Sequence, residues 1–585
     1  MSSRSRWIFS ALAVVVLLAP AMAQQSPLDQ VPAKSPIVVH LRGYERTFSR
    51  LNAVLKAAAP DYAPLIAGQI ESGVASMLMG RELKGLPKDG PLFLVFTEVP
   101  TAEADIPELA VVAKVDSYTK FRDGLLKDDE KKELKAKPGY ESTKIDDKEV
   151  FFLDLDGYAV VTPSEKAMKL FRDKKTENLA SKLDKSLAAK IVNSDVSLYL
   201  DVKAITKQYG DQIDAFKKLL EQAFDQIQGA GLDKSQVEVA KKIYEGIFRL
   251  LEDSERTVLG VEFQPDGFLV RIHNQIGDKT KTNEILKGSV PSTLESVGKL
   301  PVGRMVYTSG SPDMEFMKGI GTTMMMGLGG AENKPLSEAK KALEALKLKD
   351  WASIGDYPNT SLQTSVYEDN QAAVNATLKL YRSLPEDSPF GGAVIKGKPE
   401  IKADAEKLNG FRFNSIKITW DFEKSIEKYP EQLRDAIKET LKGTLGESSY
   451  RWVGTDGKQV LEVQAKDWAA ARKMVEDYLN GKNTVAADAE FQKTRKKLPE
   501  KSSLLLMLDA NQTAYGVAKS IGDMAKMFPG AVPGNAPKAP KGKPTYIGVA
   551  VGMQPRNGIV DLWVPADAVK AFIKVFGPMF GSKEG

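Results

Sequence analysis

The sequence contains no cysteine and only two histidines among its 585 residues. The absence of cysteine excludes disulfides, thiolate metal sites, iron–sulfur clusters and thiol catalysis. His40 and His273 are not spaced as the helical histidine pair of a zinc protease. The serine that looks most like a nucleophile, Ser311, lacks the flanking glycine pattern of a nucleophile elbow. We therefore interpret both histidines as structural residues and predict neither a metal nor a cofactor.

The net charge is small and the charged residues are evenly spread, which limits the kinds of partner that the sequence suggests. The formal net charge is +5, with lysines and acidic residues interspersed along the chain. A nucleic-acid binder concentrates its basic residues into a patch, so we expect no nucleic-acid partner. Hydrophobic residues make up 42% of the sequence, which is enough to build several ordinary cores without disulfides.

Residues 1–23 have the three parts of a secretory signal. Arg4 and Arg6 supply the positive region, Trp7 to Leu18 is almost entirely apolar, and Ala21-Met22-Ala23 is a small-x-small cleavage site. The alternative is an uncleaved anchor, but the apolar part is shorter than the roughly 20 residues that cross a bilayer. The leader therefore predicts an exported, soluble protein, periplasmic or extracellular, with no transmembrane segment after cleavage.

Two distant segments have the pattern of the same hairpin. The first has strands around Leu259–Val261 and Phe268–Val270 joined by Gln264-Pro265-Asp266-Gly267. The second has strands around Ile547–Val551 and Ile559–Val560 joined by Gln554-Pro555-Arg556-Asn557-Gly558. An Asp-Gly or Asn-Gly turn between apolar strands is the strongest short-range signal of a hairpin. The repetition indicates that the second half of the chain duplicates the first.

Further units repeat in the same order in both halves. Proline-led strands begin near residues 31, 300 and 498, and Ser197–Asp201 resembles them without the proline. In three other units a strand is followed at once by a helix, with Ser117, Asp369 or Asp467 at the N-cap position of that helix. The order predicts an α+β fold of two homologous halves, a tandem duplication. We place the halves at residues 24–295 and 296–585, joined near residues 290–300, each a largely antiparallel sheet with packed helices.

These proline-led strands, strand–Asp–helix units and Gln-Pro hairpins are similar to secreted bacterial proteins that carry a repeated domain of unknown function. The resemblance covers most of the chain after the leader. It implies an exported protein, and it brings no assigned activity and no catalytic residues.

Carboxylates are the remaining candidates for chemistry. Asp154-Leu155-Asp156-Gly157 has half the spacing of a calcium loop, but the distal glutamate is missing, so we interpret it as a strand end and a hairpin turn. Asp201 and Asp509 end matching strands, and paired carboxylates could serve a hydrolase. Helix capping explains both residues without a substrate. We therefore expect a protein that is not an enzyme.

Methionine-rich helix ends provide the candidate contact surface. Methionine is flexible and polarisable, and it is frequent on surfaces that adapt to apolar partners. Core filling is the alternative, and a Cu(I) site built from thioethers is a second one. The candidates follow three of the proline-led strands: Met77, Met79, Met324, Met325, Met326, Met524 and Met527.

The sequence therefore predicts a non-enzymatic cell-envelope protein that binds a protein partner or an apolar ligand through its surface. Two other hypotheses stay open: a purely structural envelope protein, and a hydrolase that uses paired carboxylates.

Overall fold

The structure, a computed structural model, describes residues 26–101, 108–173, 177–229, 234–311, 334–356, 359–390, 393–427, 429–525 and 542–580. The described chain is a mixture of helices and antiparallel strands, so the predicted α+β class is confirmed. Contacts divide it into two units. The first contains the residues up to His40 and Glu82–Asn193, and the second contains Leu41–Arg81 and the residues from Ser194 onward.

The strands alternate buried and less buried side chains, as the period of two in a pleated strand requires. They are β1 (Ile37–Leu41), β2 (Leu92–Phe96), β3 (Leu109–Lys114), β4 (Lys135–Lys137), β5 (Tyr140–Ile145), β6 (Lys148–Asp154), β7 (Tyr158–Thr162), β8 (Val196–Asp201), β9 (Ser254–Gln264), β10 (Gly267–Ile276), β11 (Val306–Gly310), β12 (Leu348–Asp356), β13 (Thr360–Tyr367), β14 (Pro389–Phe390), β15 (Ala393–Ile395), β16 (Glu400–Leu408), β17 (Phe411–Asp421), β18 (Ser448–Thr455), β19 (Val460–Ala465), β20 (Leu504–Asp509), β21 (Tyr546–Gln554) and β22 (Asn557–Pro565).

The helices are α1 (Tyr44–Ala58), α2 (Ala63–Leu78), α3 (Tyr118–Leu125), α4 (Asp128–Lys132), α5 (Glu165–Arg172), α6 (Leu179–Lys182), α7 (Lys185–Asn193), α8 (Val202–Gln208), α9 (Gly210–Gly229), α10 (Lys234–Asp253), α11 (Lys281–Leu286), α12 (Lys334–Glu344), α13 (Asn370–Arg382), α14 (Phe422–Ile426), α15 (Glu431–Leu445), α16 (Trp468–Leu479), α17 (Ala489–Arg495), α18 (Ala510–Ala525) and α19 (Ala566–Phe580).

The predicted N-caps are confirmed. Ser117 accepts a hydrogen bond from the backbone N–H of Lys120 at the start of α3. Asp369 and Asp467 accept the same kind of hydrogen bond at the starts of α13 and α16. In each case the donor is the backbone N–H three residues after the cap. Each cap satisfies one of the backbone N–H groups that the first turn of a helix leaves free.

In the first unit the strands form one sheet in the order β1-β2-β3-β7-β6-β5-β4. The longer sheet of the second unit has the order β8-β9-β10-β22-β21-β20-β11-β12-β13-β19-β18-β17-β16. Each neighbouring pair in this longer sheet is antiparallel. The short strands β14 and β15 pair with each other, and β15 pairs with β17.

The two Gln-Pro hairpins lie side by side in this sheet. In the first, Gln264 pairs with Gly267, and in the second, Gln554 pairs with Asn557. β10 and β22 pair with each other, and Arg271 stands directly opposite Asp561. These two residues occupy the same position in their hairpins, seven residues after Gln264 and Gln554.

The Arg271 guanidinium and the Asp561 carboxylate form an ion pair where the two hairpins meet. The Arg271 Nε lies 2.8 Å from Asp561 Oδ1, and the Asp561 side chain is 2% exposed. Arg271 Nη1 also lies 2.7 Å from Glu262 Oε1. A buried carboxylate of this kind is stable only while its cation stays in place.

We expect Arg271→Met to lower the free energy of unfolding by about 3–5 kcal/mol, because it leaves Asp561 buried without its cation. Chemical denaturation monitored by tryptophan fluorescence measures the change. The double variant Arg271→Met/Asp561→Leu should recover most of the loss, since replacing both partners removes the uncompensated charge.

Arg472→Met is the matched control, because Arg472 makes an exposed ion pair with Glu476 on α16. Arg472→Met should lower the free energy of unfolding by less than about 1 kcal/mol. If Arg271→Met and Arg472→Met lowered the free energy of unfolding equally, the stabilising role of the buried Arg271–Asp561 pair would be contradicted.

Candidate functional site

Asp201 and Asp509 both act as helix caps. Asp201 Oδ1 accepts a hydrogen bond of 3.1 Å from the N–H of Ala204. The Asp509 carboxylate accepts hydrogen bonds from the N–H of Asn511 at 3.0 Å and from Gln512 Nε2 at 2.9 Å. β8 and β20, which carry the two aspartates, are separated by five strand spacings, or about 24 Å. The two carboxylates therefore cannot act as one catalytic pair.

Both histidines are buried, at 1% and 4% exposure. The His40 ring lies 4.9 Å from the ring of Phe93. His273 Nε2 forms a hydrogen bond of 3.2 Å with Asn557 Oδ1. These contacts agree with the structural role predicted for each histidine.

The Asp154–Gly157 segment is a hairpin turn, as predicted. β6 ends at Asp154 and β7 begins at Tyr158. Asp156 and Gly157 take the positive φ angles of 50° and 79° that tight turns require. Within the described ranges, no group of three or more His, Asp or Glu side chains is placed to hold a metal ion.

The methionine candidates are only partly described. Met79 follows α2 in a left-handed conformation and is 65% exposed. Met77 and Met524 belong to α2 and α18, and their side chains are not among those described. The remaining candidates lie outside the described residues: Met324, Met325, Met326 and Met527. The methionine-rich contact surface therefore stays a prediction.

The first unit has a polar pocket of about 300 Å³ near the turn after β6. Four carboxylates line it together with amide and apolar side chains: Asp29, Asp156, Asp173 and Glu177. They are not arranged as metal ligands, so the pocket by itself indicates no chemistry.

The second unit has a continuous apolar surface on one side of its sheet. Residues that pair directly across neighbouring strands share a face, and the pairing places apolar side chains from six strands on this face. We call it the apolar face. Its members are Val196, Leu198 and Leu200 of β8, Leu259, Val261 and Phe263 of β9, Phe268, Val270 and Ile272 of β10, Val560, Leu562 and Val564 of β22, Ile547, Val549 and Val551 of β21, and Leu504, Leu506 and Leu508 of β20.

None of these eighteen side chains is fully buried, and two neighbours are the most open. Leu259 is 36% exposed and Ile272, directly opposite on β10, is 37% exposed. They belong to one straight row that crosses the six strands through directly paired residues: Leu198, Leu259, Ile272, Val560, Val551 and Leu504. The row is about 24 Å long at ordinary strand spacing.

On the opposite side of the same strands, most of the side chains are buried. Tyr199, Leu269 and Trp563 are at most 3% exposed there. Phe491 of α17 packs on this side, 5.3 Å from the ring of Tyr546. α17 and the segment before β11 fill this side. Three further helices contact these strands. α18 contacts β20, α19 contacts β10 and β22, and α1 contacts β9 and β10 and packs against α19.

This partly exposed apolar surface was not predicted from the sequence. The strand Leu504–Asp509 is apolar at almost every position, so its pattern does not distinguish a covered side from an open one. Only the burial of alternate side chains in the folded sheet shows the difference.

In the parts of the chain that the structure describes, every helix is too short or too polar to span a membrane. Comparison of the chain with protein-family models, with curated proteins and with solved structures finds no match.

Burial of the Asp509 carboxyl raises its pKa above the ordinary value of 3.8, because the charged form loses hydration, and its hydrogen bonds only partly oppose this. The contribution of Asp509 to stability is therefore fully present below the unfolded-state pKa and is lost as pH rises through the folded-state pKa. We expect Asp509→Asn, which keeps the cap, to raise the free energy of unfolding at neutral pH. The gain should vanish in acid, as urea denaturation at a series of pH values would show.

Asp467→Asn is the control, since Asp467 caps α16 at an exposed position. It should give no such pH-dependent gain. A loss of stability at neutral pH in Asp509→Asn would show that the charge itself is required at that cap.

Proposed function

We propose that this protein is an exported, non-enzymatic binding protein that holds an apolar ligand with an aliphatic chain on the apolar face. The observation that carries the proposal is the face itself: eighteen apolar side chains on six adjacent strands, none of them fully buried. Soluble proteins rarely leave apolar patches larger than a few hundred Å² open, and such patches mark interaction sites.

The chemistry of the face favours an aliphatic ligand. In the row that contains Leu259 and Ile272, all six side chains are Leu, Ile or Val. Such side chains offer no hydrogen bonds, so affinity must come from removing hydrocarbon from water, at about 0.8 kcal/mol for each buried CH₂ group. A long chain laid along the row would gain most from this effect.

Two helices that contact these strands, α18 and α19, offer apolar side chains to a ligand. α19 is itself apolar, and its Phe572 and Phe576 rings stack at 5.9 Å. Val517 of α18 is 43% exposed. In the proposed complex these side chains contact the hydrocarbon chain together with the sheet. The predicted methionine-rich helix ends would add adaptable contacts.

We also propose that the chain arose by tandem duplication. The strand order β1-β2-β3-β7-β6-β5-β4 has the same sequence of connections as β11-β12-β13-β19-β18-β17-β16. β8, β9 and β10 likewise correspond to β20, β21 and β22. Two matching contacts support this correspondence. The N–H of Phe263 donates to the Asp195 carboxylate at 2.8 Å, and the N–H of Met553 donates to Ser503 Oγ at 2.9 Å.

The test uses the protein without its leader, with hexadecanol as the probe in isothermal titration calorimetry. We expect saturable binding with a negative heat-capacity change, the signature of apolar burial. The double variant Leu259→Thr/Ile272→Thr should bind at least about tenfold more weakly, a loss of roughly 1.4 kcal/mol. Threonine is β-branched, a shape that strands favour, so the sheet should remain folded.

Val290→Thr is the matched control, because Val290 is 63% exposed and lies outside the apolar face. It should bind hexadecanol as the unchanged protein does. The proposal fails if the unchanged protein does not bind hexadecanol. It also fails if a folded Leu259→Thr/Ile272→Thr variant binds with undiminished affinity.

A further inference from the structure

We infer that the ligand of the apolar face carries an anionic head group, and that Arg46 and Arg50 of α1 bind it. This inference rests on the proposed function and adds the chemical class of the ligand. It comes from a cluster of two arginines and one buried aspartate at one end of the face.

The cluster is centred on Asp195, whose side chain is completely buried. Arg50 Nη1 lies 3.1 Å from one carboxylate oxygen of Asp195 and 3.2 Å from the other. The Nε of Arg46 lies 3.8 Å from the first of these oxygens. The N–H of Phe263 donates to the second at 2.8 Å.

Two guanidinium groups therefore share the single carboxylate of Asp195. The Arg46 Nε is buried and makes no hydrogen bond within the described residues. Arg50 keeps 42% of its side chain exposed and uses one of its nitrogens on Asp195. A guanidinium carries five N–H donors in a planar fork, so Arg50 has donors left for a second anion.

The cluster lies at the edge of the apolar face. Val196, the residue after Asp195, and Phe263, which donates to Asp195, are both members of that face. Phe268 stands opposite Phe263 on β10. A ligand whose chain lies on the face can thus place its head group beside Arg46 and Arg50.

An anion with two or three oxygens suits this site. Arginine binds carboxylates and phosphates through paired hydrogen bonds. Two natural sources share this chemistry, the carboxylate of a fatty acid and the phosphate of a phospholipid. The choice between them is an outcome of the test.

The experiment compares hexadecanoate with hexadecanol, which have the same chain and differ in the head group. We expect the unchanged protein to bind hexadecanoate at least about tenfold more tightly, the scale of a hydrogen bond to a charged group. The preference should shrink in high salt, because salt screens exposed charges. A third arm measures lysophosphatidic acid, which carries one chain and a phosphate, and tighter binding there would assign the head group to phosphate.

Two variants with opposite expected effects separate recognition from a merely structural role. Arg50→Gln should weaken hexadecanoate binding about tenfold and leave hexadecanol binding unchanged. Asp195→Asn keeps an oxygen acceptor for the Phe263 N–H but removes the competing negative charge, so it should tighten hexadecanoate binding. A purely structural cluster would lose affinity for both probes in both variants.

Arg472→Gln is the control for general charge effects, and Arg50→Lys preserves the charge if Arg50→Gln does not fold. Equal affinities of the unchanged protein for hexadecanoate and hexadecanol would overturn the inference and leave the proposed function standing. Absence of binding to both probes would overturn the proposed function itself.

Discussion

The pairing of β10 with β22 is the constraint on which the rest of the second unit depends. It joins two hairpins that are almost three hundred residues apart in the chain, and Arg271 and Asp561 face each other at its centre. A buried carboxylate would be costly if this register slipped, because its cation would move to the other face. The ion pair therefore selects one register, while apolar burial supplies most of the stability.

This register determines which side chains share a face. It aligns Ile272 with Val560 and Val270 with Leu562, and so extends the apolar side of each hairpin into one surface across six strands. The opposite side is filled by α17 and the segment before β11. As a result, most of the side chains on one side of these six strands are buried, and the apolar side chains on the other side remain partly exposed. This exposed hydrocarbon is the physical basis of the proposed ligand site.

In the proposed complex, Arg46 and Arg50 would fix the orientation of the ligand on the apolar face. A purely apolar face would bind a chain in either orientation, because hydrophobic contact is not directional. Arg46 and Arg50 lie at the Phe263 end of the face, where the proposed charged head group would bind. Asp195 joins α1 to β9 through Arg50 and the Phe263 N–H. In the proposed complex the same residue would also limit the positive charge beside the head group.

The sequence by itself determined the local elements. The Gln-Pro hairpins, the N-caps at Ser117, Asp369 and Asp467 and the turn at Asp156 depend on residues close together in the chain, and all were predictable from turn and cap chemistry. The tertiary structure decided the rest. It placed β10 beside β22, separated Asp201 from Asp509 by five strand spacings, and brought Arg50 to Asp195. Strands such as Leu504–Asp509 are apolar on both sides, so no local pattern could show which side the fold would leave open.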